Sequence, residues 1–220
     1  MNTPDPAEPS RNCPLCPRLV AYRGENRAAH PDWFNGPAPS FGDPNARLLV
    51  AGLAPGRTGA NRTGRPFTGD HAGILLYRTL YKFGLASGPE SITADDGLKL
   101  IDARITNSVK CLPPANKPLP AEIRQCNAYL QAELMQSPNA RVILALGAIA
   151  HAAVLRAFGM PPAKFRFAHG AQYELGEGRL LLDSYHCSRY NTQTRRLTTE
   201  MFEAIVEKAR DLAQRRGDAS

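Results

Sequence analysis

The residues best suited to chemistry lie in one loop, from Gly52 to Asp70, which directly follows an apolar segment. Five glycines and two prolines keep this loop open and bent, while three arginines, an asparagine, Phe67 and Asp70 could hold a flat, polar, anionic ligand. The face of Phe67 suits stacking on a nucleobase, although a core plug beneath the loop is the alternative. Asp70 precedes a helical pattern, so it could cap that helix, activate water, or do both.

Two further candidates follow other apolar segments. Asn107 offers an amide donor and an amide acceptor in one plane, which matches the edge of a pyrimidine; a turn-forming asparagine is the alternative. His186 could donate a hydrogen bond to an oxygen on which negative charge develops, and a structural histidine is the alternative. The sequence therefore predicts a polar site assembled from several loops.

The cysteines form a second group. Cys13 and Cys16 make a C-x2-C pair, and Cys111 and Cys126 make another pair farther along the chain. An odd total of five cysteines, without a secretion signal, disfavours a disulfide framework. Four thiolates suit zinc or a [4Fe-4S] cluster equally well, and four unrelated buried thiols are the alternative. Cys187 is expected to pack as a small apolar residue.

The overall charge favours an anionic partner. Lysine and arginine number 27 against 20 acidic residues, which gives a formal net charge of +7 and a pI near 9.4. Nucleic acid is the first candidate for such a partner. A positive rim that could bind phosphates is predicted from cations near the candidate site, with scattered solvated charges as the alternative: Arg57, Arg62, Arg65, Lys110, Lys117, Arg189, Arg195 and Arg196.

Alternating segments predict the fold. Short apolar runs at 47–51, 104–109, 142–146 and 180–185 indicate buried strands, and the patterns at 72–83, 121–135, 148–158 and 197–212 indicate helices. This order predicts an α/β fold, with a central, mostly parallel sheet of about four strands flanked by helices on both faces. Ligand sites of such sheets lie beyond the carboxyl ends of the strands, which is where the candidate loops are expected.

The length of 220 residues fits one domain. We expect that domain to span 11–213, between a disordered leader at 1–10 and a charged tail at 214–220. No apolar run is long enough to span a membrane, and the start of the chain has none of the regions of a signal peptide. A cytoplasmic, monomeric protein is therefore expected.

Three stretches resemble the uracil-DNA glycosylase superfamily, and most closely its family 5, the type-b enzymes: 52–70, 105–114 and 186–194. The resemblance implies a three-layer sandwich that removes uracil from DNA by hydrolysing the N-glycosidic bond. It also implies a wider substrate range that includes hypoxanthine and xanthine, a [4Fe-4S] cluster on Cys13, Cys16, Cys111 and Cys126, and no metal in the chemistry.

The resemblance also assigns roles to residues. Phe67 would stack on the extruded base, Asn107 would read its Watson–Crick edge, and His186 would stabilise the oxygen of the leaving base. The segment Gly52, Leu53 and Ala54 would contact the base. The loop after His186 would contact DNA through Ser188, Arg189, Tyr190 and Asn191, with Arg189 and Tyr190 as candidates to fill the gap left in the duplex.

The chain departs from the family pattern at three places. The stretch from Gly52 to Pro55 is apolar where other families carry an Asp, Asn or Glu that handles water, a type-b trait that directs attention to Asp70. Type-b enzymes often have Ala-Ala-His where this chain has Gly56-Arg57-Thr58, so a helper histidine is missing and Thr58 is a weaker substitute. Arg195 replaces a glycine, which adds a cation near the expected DNA.

Two other functions compete with a glycosylase. The first is a non-catalytic nucleic-acid-binding protein with a structural zinc site. The second is a hydrolase of free nucleosides, which would need no basic rim.

Overall fold

The computed structural model describes residues 8–215. Six strands form one sheet: β1 Phe41–Gly42, β2 Leu48–Gly52, β3 Ala103–Asn107, β4 Val142–Leu146, β5 Gln172–Gly176 and β6 Arg179–Ser184. The helices are α1 Pro17–Ala29, α2 Ala60–Thr63, α3 His71–Lys82, α4 Pro120–Met135, α5 Ala148–Ala157, α6 Arg189–Gln193 and α7 Thr199–Arg215. Short 3-10 turns lie at Pro114–Asn116 and Pro162–Lys164.

The strand order is β1-β3-β2-β4-β6-β5. The four central strands are parallel to one another, and the two edge strands are antiparallel to their neighbours. The predicted parallel α/β sheet is confirmed, and the count of about four strands is corrected to six.

The two extra strands carry weak sequence signals. β1 has only two residues, which is too short for any periodic pattern. β5 is largely exposed and forms a hairpin with β6 through Glu177 and Gly178, both with positive φ. A two-residue turn with positive φ at both positions favours such a hairpin, but the Glu-Gly pair is a weaker signal than Asn-Gly. Helix α1 carries an equally weak signal, because only three of its residues are buried and it contains Gly24.

The core lies on both faces of the sheet. β2, β4 and β6 are buried along their whole length, as expected for parallel strands covered on both sides. On one face Tyr77 of α3 and Phe202 of α7 pack against the sheet. On the other face Leu19 of α1, Leu130 of α4 and Val154 of α5 do so. The molecule is thus a three-layer α/β/α sandwich.

The ends of the described chain refine the predicted boundaries. Glu8 accepts a hydrogen bond from the backbone N–H of Ser40 at 2.8 Å, so residue 8 is part of the fold rather than of a disordered leader. Helix α7 runs to Arg215, two residues into the predicted tail. The rest of the predicted leader at 1–7, and the tail at 216–220, lie outside the described residues.

Among residues 8–215, no helix combines the length and the apolar character needed to cross a bilayer.

Candidate active site

A cavity of about 530 Å³ opens at the carboxyl edge of the sheet. Each of the four central strands delivers residues to it: Leu53 follows β2, Asn107 ends β3, Leu146 ends β4 and His186 follows β6. The predicted residues that line it are Leu53, Ala54, Arg57, Phe67, Asp70, Asn107, His186, Ser188 and Arg189. The convergence of loops at the strand ends therefore occurs as predicted.

Phe67 forms one wall of the cavity and is only 6% exposed. Its φ of 56° is unusual for an aromatic residue, and such strain is often held at functional sites. Two glycines make the position possible. A Cβ on Gly73 would lie 1.7 Å from the Phe67 carbonyl oxygen, and one on Gly52 would lie 2.7 Å from Phe67 Cζ and 2.5 Å from Asn107 Oδ1.

Gly52 therefore has a different role from the one expected. It is buried behind the Phe67 ring and the Asn107 amide, and it does not line the cavity. The expectation that Gly52 contacts the base is wrong, because its lack of a side chain only makes room for the two groups that do line the cavity.

Two polar atoms at this cavity are buried without a hydrogen-bond partner among the described residues. They are Asn107 Oδ1 and His186 Nδ1. Buried polar atoms in folded proteins are nearly always paired, so an unpaired one calls for an explanation such as a missing ligand or water. The two atoms belong to residues that line the same space as the Phe67 ring, whose centroid lies 6.0 Å from that of His186.

His186 is kept neutral. Burial lowers its pKa to about 4, because the charged imidazolium would lose its hydration. The side-chain amide of Asn191 donates to the His186 carbonyl at 2.8 Å and fixes the backbone of this loop. A neutral imidazole has one N–H donor and one acceptor nitrogen, so His186 can donate a hydrogen bond without adding a buried charge.

Asp70 caps helix α3. Its Oδ1 accepts from the backbone N–H of Gly73 at 2.8 Å. Its Oδ2 faces the space left by two glycines, since a Cβ on Gly59 would lie 2.3 Å from that oxygen and one on Gly56 would lie 3.2 Å from it. Burial raises the pKa of Asp70, and backbone hydrogen bonds from Gly73 and Ala72 oppose that shift. The carboxyl group therefore both caps the helix and borders the cavity.

Two of the predicted rim cations are internal. Lys110 is 1% exposed, and its ammonium binds Thr106 Oγ1 at 2.7 Å, Ser40 Oγ at 2.8 Å and Glu133 Oε2 at 3.1 Å. Arg65 is buried and pairs with Asp96 at 2.6 Å. The expectation that Lys110 and Arg65 contact phosphates is wrong, because both are enclosed and already bound to protein partners.

The remaining residues predicted to contact DNA differ in whether they line the cavity. Arg57 and Arg189 are exposed at the cavity, and Ser188 lines it while capping α6. Arg62, Lys117, Tyr190, Arg195 and Arg196 are exposed but do not line the cavity. Asn191 is tied to the His186 carbonyl. Arg195 has a φ of 56°, a left-handed conformation that suits glycine.

Sequence reasoning missed several lining residues. Gly147, Ala148 and Ile149 start helix α5 directly after β4, and the rule that sites gather at strand ends could have found them. His71 lines the cavity next to Asp70, and its Nε2 lies 3.2 Å from Thr192 Oγ1 of α6. Asn116, from the 3-10 turn after Pro113, carried no signal.

Cys13, Cys16, Cys111 and Cys126 line one small cavity between α1, α4 and the segment after β3. Two N–H groups approach the sulfurs: Arg23 Nη1 donates to Cys111 Sγ at 3.8 Å, and the Lys110 backbone donates to Cys126 Sγ at 3.3 Å. Such donors stabilise thiolate sulfur. Cys187 lies apart in the core and is fully buried, which agrees with its expected packing role.

Burial raises the pKa of Cys111 to about 11 and that of Cys126 to about 12. These groups are therefore thiols at neutral pH unless a metal displaces their protons. In the described part of the chain, no three Cys, His, Asp or Glu side chains are arranged to share a single metal ion.

Comparison with known proteins identifies the family. Residues 39–210 match the family model described as the uracil DNA glycosylase superfamily. The chain belongs to this superfamily. It is 52% identical over 207 residues to a Type-5 uracil-DNA glycosylase of Thermus thermophilus, which covers 91% of this chain and 94% of the relative. It is 46% identical to one of Mycobacterium bovis, covering 91% and 78%, and 40% identical to one of Pyrobaculum aerophilum, covering 90% and 88%.

The cavity lining includes several residues of the loop from Gly52 to Asp70. Leu53 and Ala54 line the cavity with apolar side chains. Asp70 is the one carboxylate that borders the cavity within residues 8–215. Thr58 and His71 also line it.

Proposed function

We propose that this protein is a monofunctional DNA glycosylase that hydrolyses the N-glycosidic bond of uracil in DNA and leaves an abasic site for base-excision repair. One observation carries the proposal: two buried, unpaired polar atoms, Asn107 Oδ1 and His186 Nδ1, belong to residues that line the same cavity as the strained Phe67. The names of the relatives support the same activity.

The base would be recognised by stacking and by one amide. Phe67 offers a ring face, and stacking of a base on an aromatic side chain contributes about 1–3 kcal/mol. The Oδ1 of Asn107 can accept the ring N–H of uracil, and its Nδ2 can donate to an adjacent carbonyl oxygen. Cytosine lacks that N–H, so it would leave Asn107 Oδ1 unpaired, which is costly in a buried site.

The reaction breaks the bond between C1′ and N1 of the base. Its electron pair passes to the base, which leaves as an anion, and the sugar becomes an oxocarbenium-like cation that water attacks at C1′. His186 would donate a hydrogen bond to the base oxygen on which the charge develops, the type of stabilisation that lowers such barriers most. Because His186 is neutral, it would stabilise this charge through a fixed dipole.

Asp70 would accept a proton from the attacking water. It is the cavity's one carboxylate within the described residues, and its backbone hydrogen bonds hold it in place. The capping and chemical roles separate by substitution. Asp70→Asn keeps an oxygen for the cap, so we expect a stable but slow enzyme, whereas Asp70→Ala loses about 1 kcal/mol of stability as well. An Asp70→Asn variant as fast as wild type would leave Asp70 with capping alone.

The base must leave the duplex to reach this cavity, because C1′ and the base edges are shielded in the stack. The exposed cations would bind the phosphates of that DNA: Arg57, Arg62, Lys117, Arg189 and Arg195. Arg189 and the 70% exposed Tyr190 follow His186 and are candidates to fill the gap. We also propose hypoxanthine and xanthine as substrates, since a cavity of about 530 Å³ has room for a purine.

Cys13, Cys16, Cys111 and Cys126 would hold a structural [4Fe-4S] cluster. The donor set fits, because four thiols line one cavity and two N–H groups approach their sulfurs. When bound, the cluster would link α1, α4 and the segment after Asn107, and it would supply no chemistry to the reaction. The ligands are therefore structural residues.

Release of free uracil from a uracil-containing duplex, measured together with metal content, tests the proposal. We expect uracil release, an abasic product, and about four iron and four sulfide per chain, the stoichiometry of the cluster named above. Zinc without base release would instead indicate a non-catalytic nucleic-acid-binding protein. Cleavage of free deoxyuridine, with little dependence on salt, would indicate a nucleoside hydrolase. Chromatography would test the predicted monomer, and a cytoplasmic location stays a prediction.

A further inference from the structure

A stacked pair of rings lies beside the cavity in the segment that follows helix α1. The rings of His30 and Trp33 have centroids 3.9 Å apart and planes 9° apart. His30 directly follows α1, where its backbone N–H donates to the Asn26 carbonyl. Neither ring lines the base cavity. The pair is therefore a separate feature that the proposed chemistry does not use.

This segment is fastened to the loop that carries the site. The backbone N–H of Phe34 donates to the Arg62 carbonyl at 3.0 Å, and that of Asn35 donates to the Asn61 carbonyl at 2.9 Å. The side-chain amide of Asn61 donates to Asn35 Oδ1 at 2.9 Å. Because Asn61 and Arg62 belong to α2 inside the 52–70 loop, the stacked rings and the loop are held in a fixed relation.

Arg57 of this loop contacts the stacked rings. Its Nη2 lies 3.1 Å from His30 Nε2. A guanidinium has only donors, so His30 Nε2 is the acceptor in this hydrogen bond. The stack on Trp33 sets the plane of the imidazole and so the direction of its acceptor nitrogen. His30 therefore orients the guanidinium without neutralising its charge.

The charge of Arg57 is available. Arg57 is exposed, lines the mouth of the base cavity, and makes no ion pair within residues 8–215. Arg65 of the same loop is buried and paired with Asp96 at 2.6 Å. The loop thus contains one arginine held for the fold and one held at the cavity with an unpaired charge.

We propose that the His30–Trp33 stack holds Arg57 at the cavity mouth so that it binds a backbone phosphate next to the extruded nucleotide. The inference rests on the proposed function. A base inside the cavity leaves its sugar and flanking phosphates at the mouth, where a guanidinium with free donors can make bidentate hydrogen bonds to phosphate oxygens. Arg57 contacts the DNA, and His30 and Trp33 are positioning residues.

Trp33 is the one tryptophan of the chain, so its fluorescence reports on the stack. The probe is a duplex with a single 2′-fluorinated deoxyuridine, whose electron-withdrawing fluorine slows cleavage. We expect binding to change the emission of the wild-type protein. Arg57→Gln should remove most of that change, weaken binding several-fold, and reduce the slope of log affinity against log salt by about 0.9, the value for one phosphate.

Variants of His30 separate positioning from charge. His30→Phe keeps an aromatic ring against Trp33 but has no acceptor, so it should weaken binding and lower the salt slope toward the Arg57→Gln values. His30→Gln restores an acceptor and should recover part of the loss. Arg156→Gln, which removes an exposed cation at the end of α5, is the matched control and should leave the slope unchanged. Melting temperatures verify that each variant is folded.

The outcomes are distinct from those of the proposed function. If the wild type releases uracil but Arg57→Gln has the wild-type affinity and salt slope, the phosphate contact is wrong and the glycosylase stands. If Arg57→Gln loses the slope while His30→Phe does not, Arg57 binds phosphate without the hydrogen bond to His30, and the positioning role of His30 is overturned. If the wild type releases no uracil, the proposed function itself fails.

Discussion

Asn107 ends strand β3 and Lys110 follows three residues later, yet their polar groups have opposite environments. Asn107 lines a large cavity, and its Oδ1 is buried with no hydrogen-bond partner among the described residues. The Lys110 ammonium is equally buried but is bound to Thr106, Ser40 and Glu133. A buried polar group costs free energy unless it is paired. Asn107 Oδ1 is therefore available to bind a ligand, whereas the Lys110 ammonium stabilises the fold.

This difference separates binding residues from structural ones within a single segment. Glu133 of α4 binds both Lys110 and Arg104 of β3, at 3.1 Å and 2.8 Å. This network ties the strand that ends at Asn107 to the helix that carries Cys126. Substitutions on the two sides should therefore affect different quantities: stability on the Lys110 side, and turnover on the Asn107 side.

The largest expected effect is on stability. Glu133→Gln removes the carboxylate nearest to the buried Lys110 ammonium and leaves only Glu8, at 3.8 Å. Breaking a buried pair in this way costs about 3–5 kcal/mol. Urea unfolding would measure it. The control is Glu203→Gln, which breaks the more exposed Lys82–Glu203 pair of 2.6 Å and should cost about 0–1 kcal/mol. Equal losses for the two variants would contradict the structural role of the network.

The next effect is on turnover. His186→Ala removes a donor aimed at the developing charge and should slow single-turnover uracil release about 10²–10³-fold, the usual cost of one such donor. Its melting temperature should stay close to that of the wild type, because Nδ1 has no protein partner to lose. His186→Gln keeps an N–H donor and should retain part of the rate. A His186→Ala variant that is destabilised but fully active would show that His186 has a structural role and no role in turnover.

The neutral state of His186 also predicts a pH effect on stability. Its pKa falls from 6.5 to about 4 on folding, so between these values the unfolded chain binds a proton that the folded chain does not. Stability should therefore decrease as the pH falls from about 6.5 to 4. The difference in unfolding free energy between wild type and His186→Gln, measured across this window, isolates the effect. A difference independent of pH would show that the imidazole is not held neutral.

The smallest effect concerns Arg195, an exposed cation in a strained backbone conformation. With a φ of 56°, Arg195→Gly should relieve about 1 kcal/mol of strain and stabilise the fold. It should also weaken DNA binding if the cation meets a phosphate. Arg195→Gln keeps the strain but loses the charge, so it should weaken binding without stabilising. A salt-dependent binding series that shows no loss for either variant would exclude Arg195 from the DNA interface.

The sequence predicts many of the residues that line the cavity, but it does not predict which cations are exposed at the rim. The central strands are short, mostly apolar runs, and ligand sites gather beyond their carboxyl ends. Asn107 at the end of β3, His186 after β6 and the loop from Gly52 to Asp70 are therefore expected at one edge of the sheet. The fate of Lys110 and Arg65 depends on partners far away in the chain, since Glu133 lies 23 residues from Lys110 and Asp96 lies 31 from Arg65. No local pattern shows that a lysine or arginine will meet a buried carboxylate.

The two edge strands of the sheet are not predicted from the sequence for a related reason. β1 and β5 are fixed by pairing with β3 and β6 rather than by their own patterns. The expectation for Gly52 was wrong because the importance of this residue lies in the missing side chain, which leaves room for Phe67 and Asn107. The sequence alone does not show such close approaches, because they depend on the three-dimensional positions of the neighbouring atoms.

The central claim is that the side-chain amide of Asn107, whose Oδ1 has no partner among the described residues, binds the extruded base. The most direct measurement is the NMR signal of the Asn107 side-chain amide as the duplex with 2′-fluorinated deoxyuridine is added, with the amide of Asn61, already paired to Asn35, as the internal control. We predict a large shift for Asn107 with this duplex, little shift with a duplex that carries 2′-fluorinated deoxycytidine at the same position, and none for Asn61. An unchanged Asn107 signal at saturating uracil-containing duplex would contradict the account.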